Sequence, residues 1–290
     1  MKLDERYECG YNRFRKEKME FLIEKFYTIQ QLLDTIENRP NNKVMKNQHE
    51  STSSDYEFTK THSYEEAKSL LQYGYVEPLA EIKAKVKANM KNNFIYKQNF
   101  KNKNSPVGYV PNVPNALKGL PESMITKEKK EDKRKVITIY YFNVGNAHRE
   151  TSWFLKAGIA LLSTIQLIEM AGIQVDLRLG FDGSEGSNQS TFGILKVKDF
   201  NERFNLQKIC FPMAHPSMLR RIAFKWLETI PGLTDTRYQY GYGRSYSEIN
   251  NEIKEVFGID DKNVFGLFAN EVHNMGCNVD ELLKFFNITR

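Results

Sequence analysis

The side chains able to do covalent chemistry are few and scattered. The three cysteines are Cys9, Cys210 and Cys277, and the five histidines include His148, His215 and His273. Cys210 and His215 are close enough in "CFPMAH" to suggest a thiol nucleophile and its base. Pro212 breaks the interval, however, and residue type alone does not bring such a pair together. A packed turn histidine is the plainer reading of His215. His148, with Arg149 and Glu150, opens an apolar run and reads as a local cap. His273 precedes "NMGCN" and shows no metal-ligand set at helical spacing. An odd number of distant cysteines argues against a disulfide framework and against a clustered zinc site.

Two other stretches suggest binding chemistry. In the Lys83–Lys103 stretch, Lys83, Lys85, Lys87, Lys91, Lys97, Lys101 and Lys103 interleave with Phe94, Tyr96 and Phe100, with no acidic residue between them. Lysines neutralise phosphates and aromatic rings stack bases, so single-stranded nucleic acid is one reading. A solvated lysine face anchored by its aromatics is the other. "RYQYGYGRSY" brings Arg237, Tyr238, Tyr240, Tyr242 and Arg244 around two glycines, a composition favoured at protein interfaces. A loop packed on its own domain fits the same residues. Gly145, in "GNAHRETSW", matches neither G-x-G-x-x-G nor a Walker loop, so no nucleotide cofactor is expected.

The elements that would position these residues fall into two parts. From about Glu5 to Glu37, Leu22, Phe26, Ile29, Leu33 and Ile36 recur at helical spacing, which predicts an amphipathic helix ended by "NRPNN". The polar "KNQHESTSSD" reads as a linker. "THSYEEAKSLLQYGY" carries a capping box, Ser63 with Glu66, and Gly74 stands where a C-terminal cap belongs. A basic helix begins near Pro78. "NSPVGYVPNVPNALKGLPESM" has four prolines that exclude a central strand or a long helix. Its Val107, Tyr109, Val110, Val113 and Leu117 predict an extended strap laid over a core. The charge run "TKEKKEDKRK" closes this part.

From Val136 the pattern becomes α/β. "VITIYYFNV" reads as a strand buried on both faces, followed by the apolar helix "TSWFLKAGIALLSTIQLIEMAG" and the strand "IQVDLRLGF". "STFGILKVKDF" and "NVFGLFANE" read as further strands, with helices between and after them. The expected layout is 1–135, a helical N-terminal region with the proline-rich strap, and 136–290, an α/β domain. Strands alternating with helices predict a mostly parallel sheet with helices on both faces.

The strand-helix-strand unit from Val136 resembles the von Willebrand factor A domain. Together with "FTKTHSYEEAKSLLQYGY", "VGYVPNVPNALKGLPESM" and "FPMAHPSMLRRIAFKWLE", it makes the chain similar to a group of uncharacterised bacteriophage proteins with such a domain at the C-terminus. Metal-competent A domains end the first strand in Asp-x-Ser-x-Ser, which supplies oxygen ligands to a hard cation. Here Asn143, Gly145 and Ala147 stand at those positions, so the resemblance implies a degenerate metal site. Asp182, Glu185 and Thr191 are the oxygen donors from which a different site would have to be built.

At 290 residues, 40% hydrophobic and 27% charged, the chain can bury a substantial core under a solvated surface. The opening "MKLDERYECGYNRFRKEKMEF" has charge where a secretory signal needs an apolar segment. The longest apolar run, Trp153 to Ala171, is interrupted too often to predict a membrane span. The expectation is a cytoplasmic, non-catalytic phage interaction or assembly protein with an unknown protein partner, no metal and no membrane. The alternative is an RNA- or single-stranded-DNA-binding protein using the Lys83–Lys103 stretch.

Overall fold

The computed structural model describes residues 10–16, 19–45, 49–50, 56–90, 100–129, 135–145, 149–240, 242–259 and 261–288. Its first correction falls at the N-terminus. β1 (Gly10–Lys16) and β2 (Met19–Phe26) pair antiparallel, and the helix begins only at Ile29, where Thr28 Oγ accepts the Gln31 N–H at 3.0 Å. The spacing that predicts one long helix runs across two elements. Leu22 and Phe26 lie on β2, while Leu33 and Ile36 lie on the helix Ile29–Asn38. "FLI" at 21–23 is a consecutive apolar run, which suits a strand enclosed on both faces. All three side chains are buried.

Three short strands follow in the middle of the chain: β3 (Phe100–Ser105), β4 (Val110–Pro111) and β5 (Met124–Lys129). The C-terminal half contributes β6 (Val136–Phe142), β7 (Gln174–Gly180), β8 (Ser184–Glu185), β9 (Gln189–Lys198), β10 (Arg244–Ser245) and β11 (Val264–Phe268). The main sheet runs β1-β2-β9-β7-β6-β11, with β8 attached to β9 and β10 to β8. Three of its seven ladders are parallel: β2 with β9, β7 with β6, and β6 with β11. The other four are antiparallel. The expected mostly parallel von Willebrand A-like sheet behind a helical N-terminal region is therefore incorrect. The protein has a mixed sheet, and its N-terminal segment supplies two strands of it.

The physical reason lies between β7 and β9. Only the segment 181–188 joins them, which is too short for the crossover of a dozen or more residues that a parallel neighbour needs. β9 must return antiparallel, and its other edge then accepts β2 in parallel register, Glu20 opposite Gln189 through Phe26 opposite Leu195.

The helix Thr151–Met170 is the central core element, with twelve buried residues. Its length and composition would suffice to cross a membrane, but two thirds of its apolar window is buried by packing inside this fold. Gly158 allows the helix Leu206–Ala214 to lie against it, since a Cβ there would stand 2.5 Å from the Ala214 Cβ. On the sheet, Tyr140 and Phe142 meet Phe257 at ring separations of 5.3 and 5.7 Å. Strand alternation turns Ile139 and Tyr141 to the opposite face.

Polar groups inside the fold tie the N-terminal segment to the C-terminal half. Glu24, buried on β2, takes both Arg39 guanidinium nitrogens (2.8 and 2.6 Å) and the Trp226 indole N–H (2.7 Å). Met218–Ala223 forms a π-helical segment that continues into the helix Phe224–Thr229. From it the buried Arg221 reaches the carbonyls of His49 (2.8 Å) and Thr61 (3.1 Å). Glu228 accepts from the His49 backbone, the His49 ring and the Tyr242 hydroxyl.

The proline-rich segment is a second correction. It forms no strap over a core. β3, β5 and β4 make a separate antiparallel sheet, closed by the short helix Val113–Leu117 that Asn112 caps. Among the described side chains of 102–127 none is buried. The prolines do what their chemistry requires: Pro111 sits in a two-residue edge strand and Pro114 in the first turn of the short helix.

Candidate functional site

β6 and β11 run parallel, and their C-terminal ends open beside the start of the helix Thr151–Met170. Ligands of α/β sheets bind in this kind of crevice. Two of the three degenerate-motif positions lie here. Asn143 is fully buried, its Nδ2 donates to Pro212 O at 3.4 Å, and its Oδ1 has no partner. Gly145 is closed over by rings, with Trp153 and Phe154 atoms 3.1 Å from where a Cβ would be. Ala147 lies outside the described residues. Among the described residues no group of three or more His, Cys, Asp or Glu side chains could hold a metal.

Asp182, at the end of β7, has its carboxylate engaged elsewhere. Ser184 Oγ donates to Oδ1 at 2.7 Å and Thr191 Oγ to Oδ2 at 2.6 Å. Burial pushes its pKa to about 7, although the Thr191 and Ser184 hydroxyls and the Gly183 N–H favour the charged form. Glu185 stands in the β8 ladders, opposite Ser190 and Arg244. A carboxyl raised in the folded state supports stability fully below its unfolded value of 3.8 and loses that support as pH rises to about 7. Between pH 4 and pH 8 the native chain should lose a few kcal/mol from this group, because a tenfold difference in proton affinity between the folded and unfolded chain is worth about 1.4 kcal/mol. Asp182→Asn cannot ionise. Its urea midpoint should match the native chain's near pH 4 and exceed it near pH 8. An equal offset at both pH values would show that the carboxyl is not titrating in this window.

The crevice is walled by a stack. The Arg149 guanidinium lies over the Trp153 ring at 5.1 Å and reaches Asn270 Oδ1 at 3.4 Å. On Trp153 the His273 imidazole is stacked at 4.6 Å with planes 9° apart, and its Nε2 is 2.9 Å from Trp153 O. Cys277 Sγ is 3.5 Å from His273 Nδ1. A cavity of about 540 Å³ opens against these groups and against Lys156. Two residues are too few for a metal-ligand set, but His273 and Cys277 are four apart in "HNMGC", and that spacing is a usable signal of a helical-turn pair.

The Cys210 thiol and the His215 imidazole make no bond with each other among the described contacts. His215 caps the end of the helix Leu206–Ala214, accepts the Ser217 N–H on Nδ1, and is packed between Phe211 and Tyr75. Burial lowers its pKa to about 4 and pushes the Cys210 thiol up to about 12. Neither group is poised for proton exchange near neutral pH.

The lysine stretch is only partly described. Lys83 and Lys87 are exposed on the helix Leu79–Met90, whose Ile82 and Val86 are buried, and Lys85 pairs with Glu81 at 3.6 Å. Lys91, Phe94, Tyr96 and Lys97 lie outside the described residues. In the tyrosine loop, Tyr238 is fully buried and donates to Ser184 O at 3.0 Å. Tyr242 is also buried and stacks on Phe224 at 3.8 Å. Arg237 donates to Gly186 O, and Arg244 is exposed in β10. Tyr240 ends a 3₁₀ turn, and its side chain lies outside the described residues. Asp235 fixes this loop to β9. Burial raises its pKa, yet the N–H groups of Asn188, Arg237, Ser187 and Gln189 outweigh that and hold it below the usual value. Tyr238 thus packs onto β8 and Tyr242 onto the helix Phe224–Thr229, and both side chains are buried.

Comparison with curated proteins and with solved structures gives no match. A family model matches residues 13–289, from within β1 through the last helix and including both sheets, so the chain belongs to the family described as Domain of unknown function (DUF7192).

Proposed function

We propose that the protein is an interaction or assembly protein whose contact element is the small β3-β5-β4 sheet with its short helix. The observation that carries this reading is the uncovered apolar surface of that element. Leu117 is 84% exposed and Val107 79%, and Tyr109, Val110, Val113 and Leu120 are exposed with them. Contiguous exposed apolar groups in a folded protein mark a surface that another molecule covers. Lys103, Lys118 and Lys127 are exposed on the same element against Glu122 alone among its described side chains. The partner that fits is a protein surface with an apolar centre and an acidic rim. The sequence resemblance to bacteriophage proteins fits an assembly or host-contact role, in the host cytoplasm if the chain is phage-encoded.

A second reading keeps the nucleic-acid alternative, with Lys83 and Lys87 exposed on their helix and Lys127 Nζ 5.4 Å from the exposed Tyr109 ring. The experiment that separates the two uses the full chain carrying Val107→Asp and Leu117→Asp. Both side chains are mostly in water, so stability should stay within about 0.5 kcal/mol of the native chain. A partner recovered from host cells by the native chain should bind the variant at least tenfold more weakly, with or without nuclease. Unchanged affinity for every recovered partner would count against the sheet as the contact. Tight, salt-dependent binding of a labelled single-stranded oligonucleotide, lost on Lys83→Glu and Lys87→Glu, would favour the second reading.

A further inference from the structure

Cys277 follows the helix Ala269–Asn274 by one short turn, and its thiol faces His273 Nδ1 at 3.5 Å. The other ring nitrogen settles the proton. Nε2 is 2.9 Å from Trp153 O, and a carbonyl can only accept, so the neutral imidazole carries its hydrogen on Nε2. Nδ1 is then the lone-pair nitrogen, and the thiol is the donor toward it. Trp153 also stacks on the ring, and it belongs to the largely buried core helix Thr151–Met170, so an element packed in the core orients the imidazole. A nucleophile, a base and a third group that orients the base form the arrangement that activates cysteine and serine nucleophiles.

Backbone strain adds to this. Cys277 has φ of 50°, a left-handed conformation that is unfavourable for a non-glycine residue. The Cys277 N–H donates to Val272 O at 3.0 Å and holds the residue there. Among the described residues, the cavity in front of the thiol is lined by the cations Arg149 and Lys156 against one carboxylate, Glu150. Burial raises the thiol pKa and the charges of Lys85 and Lys156 oppose it, so the resting thiol keeps its proton and needs the base.

We propose that Cys277 is a nucleophile with His273 as its general base, and that the cavity takes an anionic acyl compound, a carboxylate-bearing ester or thioester. Nδ1 takes the thiol proton as Sγ adds to the acyl carbon. Collapse of the tetrahedral adduct breaks the bond to the leaving alcohol or thiol, which receives that proton and departs, and the acyl group remains on Sγ. Water, deprotonated by Nδ1, then attacks the thioester, and Sγ leaves and recovers the proton as the free acid is released. No oxidant or reductant is required. The Cys277 and Gly276 N–H groups are already committed to Val272 O and His273 O, so the oxyanion depends on the cationic side chains of the cavity.

This site shares no residue with the small sheet and does not rest on the interaction reading. The test offers the full-length protein mono-p-nitrophenyl succinate, which is anionic, and p-nitrophenyl acetate, which is neutral. Release of p-nitrophenol is followed together with peptide mass mapping of the acyl group. One acyl equivalent should appear on Cys277, at least tenfold faster from the succinate. Cys277→Ser should abolish the adduct, and His273→Gln should slow it by about 100-fold or more, the range of general-base contributions. Lys156→Glu changes an exposed residue, is expected to fold normally, and should erase the preference for the anionic ester. The proposal is overturned if Cys277 acylates at the same rate with and without His273, if the adduct maps elsewhere, or if the neutral ester reacts as fast in the native chain.

Discussion

A chain that begins at Lys135 is expected to show no cooperative unfolding transition and to aggregate when the full chain remains soluble. Such a chain keeps β6, β7 and β11 but loses β2, the parallel partner of β9 over residues 189–195. Phe192, Ile194 and Leu195, buried in the full chain, would then lie on an exposed sheet edge, the configuration most prone to pair with other chains. Trp226 loses its Glu24 acceptor, and Arg221 loses the carbonyls of His49 and Thr61. Removing the partners of one buried charge costs about 3–5 kcal/mol, and a whole domain is stable by only about 5–15 kcal/mol. That loss at Arg221, the indole N–H of Trp226 deprived of Glu24, and an exposed sheet edge are together more than the fold can absorb. A sigmoidal thermal melt of the shortened chain near the native midpoint would refute this and establish residues 135–290 as independently folding.

Local chemistry was the legible part of this fold. Ser63 Oγ accepts the Glu66 N–H at 3.1 Å and Gly74 ends the helix with φ of 99°, as the capping residues predicted. β6, the helix Thr151–Met170, β7 and β11 follow from their apolar runs. What could not be read was pairing. "MEFLIEKF" satisfies a helical stripe and a buried strand equally well, and only the free edge of β9 decides between them. The direction of β9 was recoverable, because the length of segment 181–188 excludes a crossover. The small sheet shows the converse difficulty. Apolar residues among prolines suggest a covered strap, but composition does not reveal whether the cover belongs to the same chain.

The candidate site residues were harder to read for a related reason. Tyrosines flanked by glycines look like an interface loop, yet Tyr238 and Tyr242 have buried hydroxyl partners that no sequence window contains. Cys210 and His215 are neighbours in sequence, and the helix between them carries each to separate packing. Cys277 and His273 needed one further fact, the carbonyl of Trp153, which is 120 residues away.

Glu228→Leu should lower stability by about 3–5 kcal/mol, because three buried groups lose the acceptor they share, at about 1–3 kcal/mol for each lost partner. Glu228 is fully buried. Its Oε1 accepts the His49 N–H at 3.2 Å and the Tyr242 O–H at 2.8 Å, and its Oε2 meets His49 Nδ1 at 2.5 Å. Leucine nearly preserves the volume and strips the acceptor that these groups share, so the loss reads the polar network and not a cavity. The backbone bond from Asn42 N to Glu228 O remains, which leaves the local chain path anchored at one point. A chain of this size should melt lower by on the order of 10 °C, at about 2–4 °C per kcal/mol. Glu228→Gln is the informative companion. Its carbonyl can still accept both Oε1 donors, and its amide N–H can donate to a neutral His49 Nδ1, so it should recover more than half of the lost stability. Urea titration of both variants gives the answer. A leucine variant within about 1 kcal/mol of native would show that the segment around His49 is held by its apolar contacts alone. Equal losses for glutamine and leucine would instead assign the stabilisation to the carboxylate charge.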